Sequence, residues 1–509
     1  MKGDGRTTII YFIRPPPFTP LRLIICAQDV ILCVQICAIK AHSERCFIME
    51  RENAWKKYDK KALKELEALS VRYRNFLDNG KTERECADLA VELAKKNGYV
   101  SLEEAIKAGE KLKPGAKLWS APMGKAIMLF IIGKEPMENG INIVGAHIDS
   151  PRIDVKQNPL YEDSDLVYLD THYYGGIKKY QWVTLPLALH GVVVKKDGTK
   201  INVVIGEDDK DPVLCISDLL IHLSQEQMQK KAAEVIGGEE LNLIIGGRPL
   251  KGTEEKEAAK ANILGIIKEK YGFEEEDLLS AELEIVPAGR AREMGLDRSM
   301  ILGYGHDDRV CAFAELEAIF NVEGVPEKTV CCLFADKEEI GSVGATGMQA
   351  KYFENAFAEL MALTGDYCDL KLRRGLANSK MLSCDVSAGY DPNFASAFER
   401  KNAAFLGRGV CFNKYTGSRG KGGSNDANAE YMAEVRKIMD DAKVNFQTAE
   451  LGRVDLGGGG TIAYICALYC MNVIDSGVAV LSMHAPWEII SKADLYEAMR
   501  GYKAFLENA

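Results

Sequence analysis

Apolar and polar positions between residues 56 and 98 recur at helical spacing. Leu63, Leu66, Leu69 and Val71 predict one helix. A second opens on Thr82-Glu-Arg-Glu85, a pattern in which hydroxyl and carboxylate cap each other's backbone, and stops at Asn97-Gly98. Beyond Pro114 the period shortens, and strand-like runs follow at 127–132 and 141–144. From about 157 to 288 the character changes. Strands are predicted at 182–194 and 200–205, and a helix at 217–234 with Leu219, Leu220, Leu223 and Met228 on one side. A polar stretch around Gly246-Gly247 and 251–257 precedes another helix at 257–271. The earlier alternation then resumes, with strands at 329–334, 380–384 and 478–481 and helices at 309–320, 426–440 and 461–471. Strands alternating with helices predict an α/β fold whose sheet is covered on both faces.

This pattern predicts a split domain of residues 49–156 and 289–509, interrupted by a second, mainly β domain over 157–288. A chain of 509 residues is long enough for two or three domains. Residues 1–48 match neither part: they hold Pro15-Pro-Pro17 and scattered arginines, and a charged amphipathic stretch starts at Met49. The apolar run 21–38 is interrupted by Arg22, Gln28, Asp29 and Gln35, too often to cross a bilayer. We expect Met49 to be the initiator, with residues 1–48 a mis-assigned start without ordered structure. A processed extension and a signal peptide are the alternatives.

Net charge narrows the partners. At −10 the chain is poorly suited to nucleic acid or to an anionic membrane surface. Fourteen cysteines show no C-x-x-C pair, so thiolate zinc sites and redox motifs lack support. Free buried thiols in a reducing cytoplasm are the expectation.

The candidate chemistry lies where apolar runs end. His147 closes Ile141-Asn-Ile-Val-Gly-Ala-His147, with Asp149 two residues on, and His484 follows Val478-Ala-Val-Leu-Ser-Met483. Between them stand Asp307, the pair Glu338-Glu339 and Asp385. Taken singly, each has an ordinary role: a core histidine near a turn, a helix cap, a solvated turn. As a set they offer imidazole and carboxylate, the donors that bind zinc, cobalt or manganese. Long gaps between them suit a catalytic site assembled from several loops, whereas structural zinc sites use short local spacings. Adjacent glutamates after an apolar strand suggest divided labour, one binding metal and the other taking a proton from attacking water. Two metals sharing a carboxylate would make a hydrolase centre.

Gly145-Ala-His-Ile-Asp-Ser-Pro151, Asp307-Asp-Arg309, Glu338-Glu-Ile-Gly-Ser342, Ser383-Cys-Asp385 and Ser482-Met-His484 occur in this order. Together they resemble the aspartyl aminopeptidase family of two-metal aminopeptidases, in particular its bacterial branch, from about Met49 onward. The resemblance implies an exopeptidase-like mixed sheet flanked by helices, with an inserted oligomerisation domain. It implies that Asp307 bridges two divalent ions, zinc first among them. His147 and Asp385 would complete one site, and Glu339 with His484 the other. Glu338 would be the general base and Asp149 the acid supporting His147. The family's insert drives dimerisation, dimers assemble into a dodecamer, and a histidine from a neighbouring subunit enters the active site. His222, in Leu219-Leu-Ile-His222, matches that segment. Lys414 lies in a segment similar to one with a substrate-contacting lysine. Where eukaryotic members carry His-Pro-Asn near the substrate pocket, this chain has Asp391-Pro-Asn393. An acid there disfavours acidic substrate side chains.

The leading expectation is hydrolysis of the N-terminal residue of peptides. The alternative is a two-metal deacylase or carboxypeptidase acting on N-acyl amino acids, and a requirement for a free substrate amine separates the two. A non-enzymatic scaffold that kept the fold would be marked by loss of a ligand, and none is lost.

Overall fold

A computed structural model describes residues 52–109, 111–252 and 256–509 of the protein. The expectation for residues 1–48 lies outside these residues.

Nine strands form the central sheet, in the order Val100–Ser101, Lys117–Ser120, Ile127–Ile131, Val330–Ala335, Asn142–His147, Lys380–Cys384, Asn472–Gly477, Val410–Asn413 and Phe446–Thr448. The four from Val330–Ala335 to Asn472–Gly477 run parallel, and their outer neighbours are antiparallel to them, so the sheet is mixed. Both faces are covered, which is why the middle strands are apolar without alternation. Successive side chains still go to opposite sides. Cys332 and Phe334 join a core with the helices Lys60–Asn79, His306–Phe320 and Lys492–Asn508. Cys331 and Leu333 join another with Tyr352–Thr364 and Asp369–Asn378. The register brings strand ends together: Ala335 lies opposite His147, and Ser383 opposite Gly145, so the three strands end nearly level.

The N-terminal helices form as their pattern predicts, with one adjustment. Thr82 Oγ1 accepts from Glu85 N at 3.2 Å and Glu85 Oε2 accepts from Thr82 N at 3.1 Å, a complete reciprocal cap. In the preceding helix the buried face is Leu66, Leu69, Tyr73, Phe76 and Leu77, whereas Leu63 and Val71 are exposed.

Two further sheets accompany the first. A five-stranded one has the order Arg292–Met294, Met300–Gly303, Glu488–Ser491, Ala479–Leu481 and Ser387–Ala388. An antiparallel six-stranded one has the order Lys200–Ile205, Leu187–Val194, Ala281–Pro287, Arg152–Asp163, Leu166–Tyr174 and Leu243–Gly246. It carries its own core around Trp182, Leu187, Leu243 and Ile285, against which the helix Ala258–Tyr271 packs.

Three expected elements differ. Residues 217–234 are turns with one 3-10 turn, Gln227–Gln229, and not a helix. Leu219, Leu220, Ile221, Leu223 and Met228 are exposed. With no surface among the described residues to pack against, the apolar spacing cannot stabilise a helix there. The strand expected from 182 starts at Leu187, after Pro186. The helix expected over 461–471 is confined to Ala463–Ala467, and Cys470 turns the chain with a φ of 67°. The described cysteines are all free. No helix among the described residues is long and apolar enough to cross a membrane.

Candidate active site

Three of the four strands that carry candidate ligands are neighbours in the central sheet. Asn142–His147 ends on His147, Lys380–Cys384 is followed by Asp385, and Val330–Ala335 leads through Asp336-Lys337 to the turn Glu338–Ile340. This is the crevice at the carboxyl ends of parallel strands, where open α/β sheets place their ligands. The fourth strand, Ala479–Leu481, belongs to the five-stranded sheet. It delivers His484 from a tight turn in which Ser482 and His484 have φ of 60° and 65°. Asp307 sits at the head of His306–Phe320 but outside helical torsions, at φ −80° and ψ 104°. The Asp307–Asp308 peptide bond is cis.

Asp307 is the meeting point. Its Oδ1 lies 3.2 Å from His147 Nε2, and its Oδ2 lies 3.2 Å from His484 Nε2. Glu339 Oε1 is 3.5 Å from the same His484 nitrogen. Two clusters result, each with ligand atoms within 4.8 Å of one another: His147, Asp307 and Asp385, and Asp307, Glu339 and His484. Both imidazoles are oriented from behind by backbone. His147 Nδ1 is 3.0 Å from the carbonyl of Asp149, and His484 Nδ1 is 2.9 Å from the carbonyl of Gly176. A carbonyl only accepts, so each Nδ1 carries a hydrogen, and each Nε2 is the nitrogen left to face the cluster, as a donor to Asp307 when protonated and as a lone pair for a cation when not.

Do these groups fit metal ions? Two donors about 2.1 Å from one ion at a near-tetrahedral angle stand roughly 3.3–3.4 Å apart, close to the spacings seen. Among the described residues Glu339 Oε1 is buried with no hydrogen-bond partner, an arrangement that is costly unless a cation faces it. Negative charge is in excess. Burial, and then the neighbouring carboxylates Asp308 and Asp307, push Asp385 well above the usual carboxylate range against the opposing pull of His147. Burial and Asp307 do the same to Glu339. Burial pushes Glu338 up to about 7, with His147 lowering it and Asp149 and Asp307 raising it. Burial acts to raise Asp307 too, but hydrogen bonds from His147 and His484 outweigh it and hold Asp307 below the usual range. Burial pulls His484 down, while Asp307 and Glu339 prevail and push it up to about 10. Protons are thus retained where divalent cations would balance the charge, and the donors fit such ions.

Around the clusters stands a further layer, in which the sequence assigned a role to Asp149 alone. Asp149, fully buried, accepts from Glu338 N at 3.1 Å, Glu339 N at 3.2 Å and the Tyr174 hydroxyl at 2.8 Å. Its Oδ1 is also 3.3 Å from His147 Nδ1. Asp149 therefore holds the glutamate turn as well as the imidazole. Tyr174 and Gly176 come from the end of Leu166–Tyr174, so the six-stranded sheet reaches the site of its own chain. Gly175, at φ 75°, lies so close that a Cβ there would be 3.3 Å from Glu339. Asp308 Oδ2 accepts from His147 N at 3.4 Å. Glu488 accepts from the amides of both His484 and Asp307. A glycine pair and an acid after a proline-tryptophan step carry no pattern that sequence alone could have singled out.

The remaining expected residues lie elsewhere in the contact network. Asp391 Oδ1 accepts from Asn393 N at 2.9 Å, capping the 3-10 turn Pro392–Ala397. Lys414 is exposed and pairs with Asp426 at 3.5 Å. His222 is exposed within the apolar segment that follows Ser217.

Comparison with known proteins agrees with this geometry. Residues 76–506 match the family described as aminopeptidase I zinc metalloprotease (M18). A probable M18 family aminopeptidase 1 from Clostridium acetobutylicum is 60% identical over 461 residues, covering 91% of this chain and 99% of that protein. The crystal structure of an M18-family aminopeptidase from Thermotoga maritima superposes with a TM-score of 0.86 at 44% identity, covering 91% of this chain and all (100%) of that one. The mApe1 dodecamer of S. cerevisiae, 19% identical, shares the fold with a TM-score of 0.69 over 86% of this chain and 95% of its own. With most of its length matched and its sequence so close to bacterial members, the chain belongs to the M18 family of zinc aminopeptidases.

Proposed function

We propose that this aminopeptidase removes the N-terminal residue of peptides at a centre of two divalent ions, zinc first and cobalt or manganese as substitutes. The observation that carries the reading is Asp307, whose two carboxylate oxygens each face a different imidazole at 3.2 Å. One carboxylate shared by two nitrogen donors suits a bridging ligand. Asp307 would bridge, His147 and Asp385 would hold one ion, and Glu339 and His484 the other. Bound there, such ions supply an activated water and a polarised carbonyl. Glu338 has no assigned ligand role and takes the proton from the attacking water, then returns it to the leaving amine. Asp149 keeps His147 in the Nδ1–H tautomer and fixes both glutamates through their amides.

Residues of about 157–288 serve, in this reading, as a dimerisation domain, with dimers building a dodecamer. Support comes from the exposed run Leu219, Leu220, Ile221 and Leu223, too apolar for a solvent face. The mApe1 relative of the same fold is a dodecamer. His222 would enter a neighbouring subunit's site, and Lys414 would contact substrate. Asp391 would disfavour acidic N-terminal residues: at 4 Å a like charge costs about 1–4 kcal/mol, depending on the local dielectric.

A panel of aminoacyl chromogenic substrates, each with and without N-acetylation, tests the reading on metal-loaded and chelator-stripped protein. Cleavage of free-amine substrates with neutral or basic residues, lost on stripping and regained with zinc, is the expected result. Turnover confined to acetylated substrates would favour the deacylase, and a strong preference for Asp or Glu would remove Asp391 from the specificity argument.

A further inference from the structure

Glu488 is a buried carboxylate with an unusual pair of partners. It is 1% exposed, and among the described residues no lysine or arginine forms an ion pair with it. Its Oε1 accepts from His484 N at 2.7 Å, and its Oε2 accepts from Asp307 N at 3.1 Å. These are the backbone amides of the two residues whose side chains meet at 3.2 Å on the other side.

The sheet register explains how one side chain reaches both. In the five-stranded sheet Glu488 pairs with Gly303, whose strand runs through Tyr304, Gly305 and His306 to Asp307. On its other flank the strand of Glu488 pairs with Ala479–Leu481, whose turn carries His484. Glu488 thus stands at the hairpin mouth between two segments that are far apart in sequence. Both segments depart from regular torsions there, His484 at a positive φ and Asp307 outside the helix it heads, so neither amide is satisfied by a helix or strand ladder. Buried amides need acceptors. A carboxylate supplies two acceptor oxygens on one rigid plane, which an amide side chain cannot, because its NH2 would face one of the two N–H donors.

We infer that Glu488 is a positioning residue for the metal centre, a clamp that sets the separation between Asp307 and His484 by holding both of their backbones. This rests on the reading of those two residues as metal ligands. It adds that the ligand geometry is maintained by a side chain that itself binds nothing in the site. Outer partners of this kind change metal affinity by about 10–100-fold when removed.

The test is a Co2+ titration of metal-stripped, assembled protein, followed by the visible d–d bands of the bound ion. Wild-type protein should take up cobalt with a defined spectrum. Glu488→Gln should retain wild-type circular dichroism and native mass, but bind cobalt at least tenfold more weakly and with shifted bands. Glu488→Asp keeps both acceptor oxygens on a shorter arm and should fall between the two. A folded Gln variant with wild-type affinity and bands overturns the clamp while leaving the metal reading intact. Should the Gln variant fail to fold, the Asp variant decides: weaker binding with altered bands supports the clamp, and wild-type binding overturns it. Wild-type protein that binds no cobalt would overturn the metal reading, and the clamp with it.

Discussion

The phenol of Tyr174 donates to Asp149 Oδ2 at 2.8 Å, joining the six-stranded sheet to the acid that holds His147 and the glutamate turn. Burial and the charge of Asp149 keep this hydroxyl protonated, far above the ordinary tyrosine value. A hydrogen bond to a charged group contributes about 1.5–3 kcal/mol. Tyr174→Phe should therefore lower kcat/KM roughly tenfold or more. Circular dichroism and native mass should stay unchanged. Steady-state kinetics beside those two controls would show it, and wild-type kinetics would mean that Asp149 needs no help from this sheet.

Asp307 and Glu338 separate two kinds of loss. Asp307→Ala removes the carboxylate that faces both imidazoles and should cost both ions. Glu338→Gln keeps size and shape and should retain metal while turnover falls by about a hundredfold or more, the scale of a lost general base. Metal content per subunit, measured beside activity, distinguishes them. Retention of both ions by the Asp307 variant would contradict its bridging role.

His190 gives a pH-dependent stability. Its Nδ1 is 2.8 Å from Glu85 and its Nε2 is 3.1 Å from Glu207, which also pairs with Lys81. Burial lowers the His190 pKa, but the bonds to Glu207 and Glu85 prevail and raise it above its ordinary value. A histidine whose folded pKa is raised stabilises fully below its unfolded value of about 6.5 and loses that contribution as pH rises through the folded one. His190→Gln should lower Tm more at pH 6 than at pH 9. Equal losses at both, in matched thermal scans, would rule out a charged His190.

Assembly is open to direct measurement. If the segment around His222 is covered by another subunit, native mass at micromolar concentration should exceed one chain. Replacing Leu220 and Ile221, both exposed, with Asp should reduce it. His222→Ala should stay assembled and turn over slowly. A native mass of one chain for the wild-type protein would end this proposal.

The sequence made part of this molecule legible. Strands with apolar residues on both faces, the reciprocal cap at Thr82 and Glu85, and acids or histidines at strand ends all leave local patterns, and the structure brings His147, Asp307, Glu339, Asp385 and His484 together. Which sheet each strand joins leaves none, so the placement of His484 on a second sheet could not be read. Tyr174, Gly176 and Glu488 were missed because they act through another residue's carboxylate, imidazole or backbone amide. The run 217–234 misled for the opposite reason: its spacing is helical, but apolar side chains left exposed in a chain of turns give the same spacing as a buried helix face.

Three sheets converge on one cluster, and His484 comes late in the order of synthesis. A growing chain holds His147, Asp307, Glu339 and Asp385 well before the five-stranded sheet can close with Ala479–Leu481 and Glu488–Ser491. Until then the second imidazole and the carboxylate behind it are both missing. The five-residue cluster therefore cannot close on a chain that stops short of Glu488, and its completion marks the closing of the five-stranded sheet.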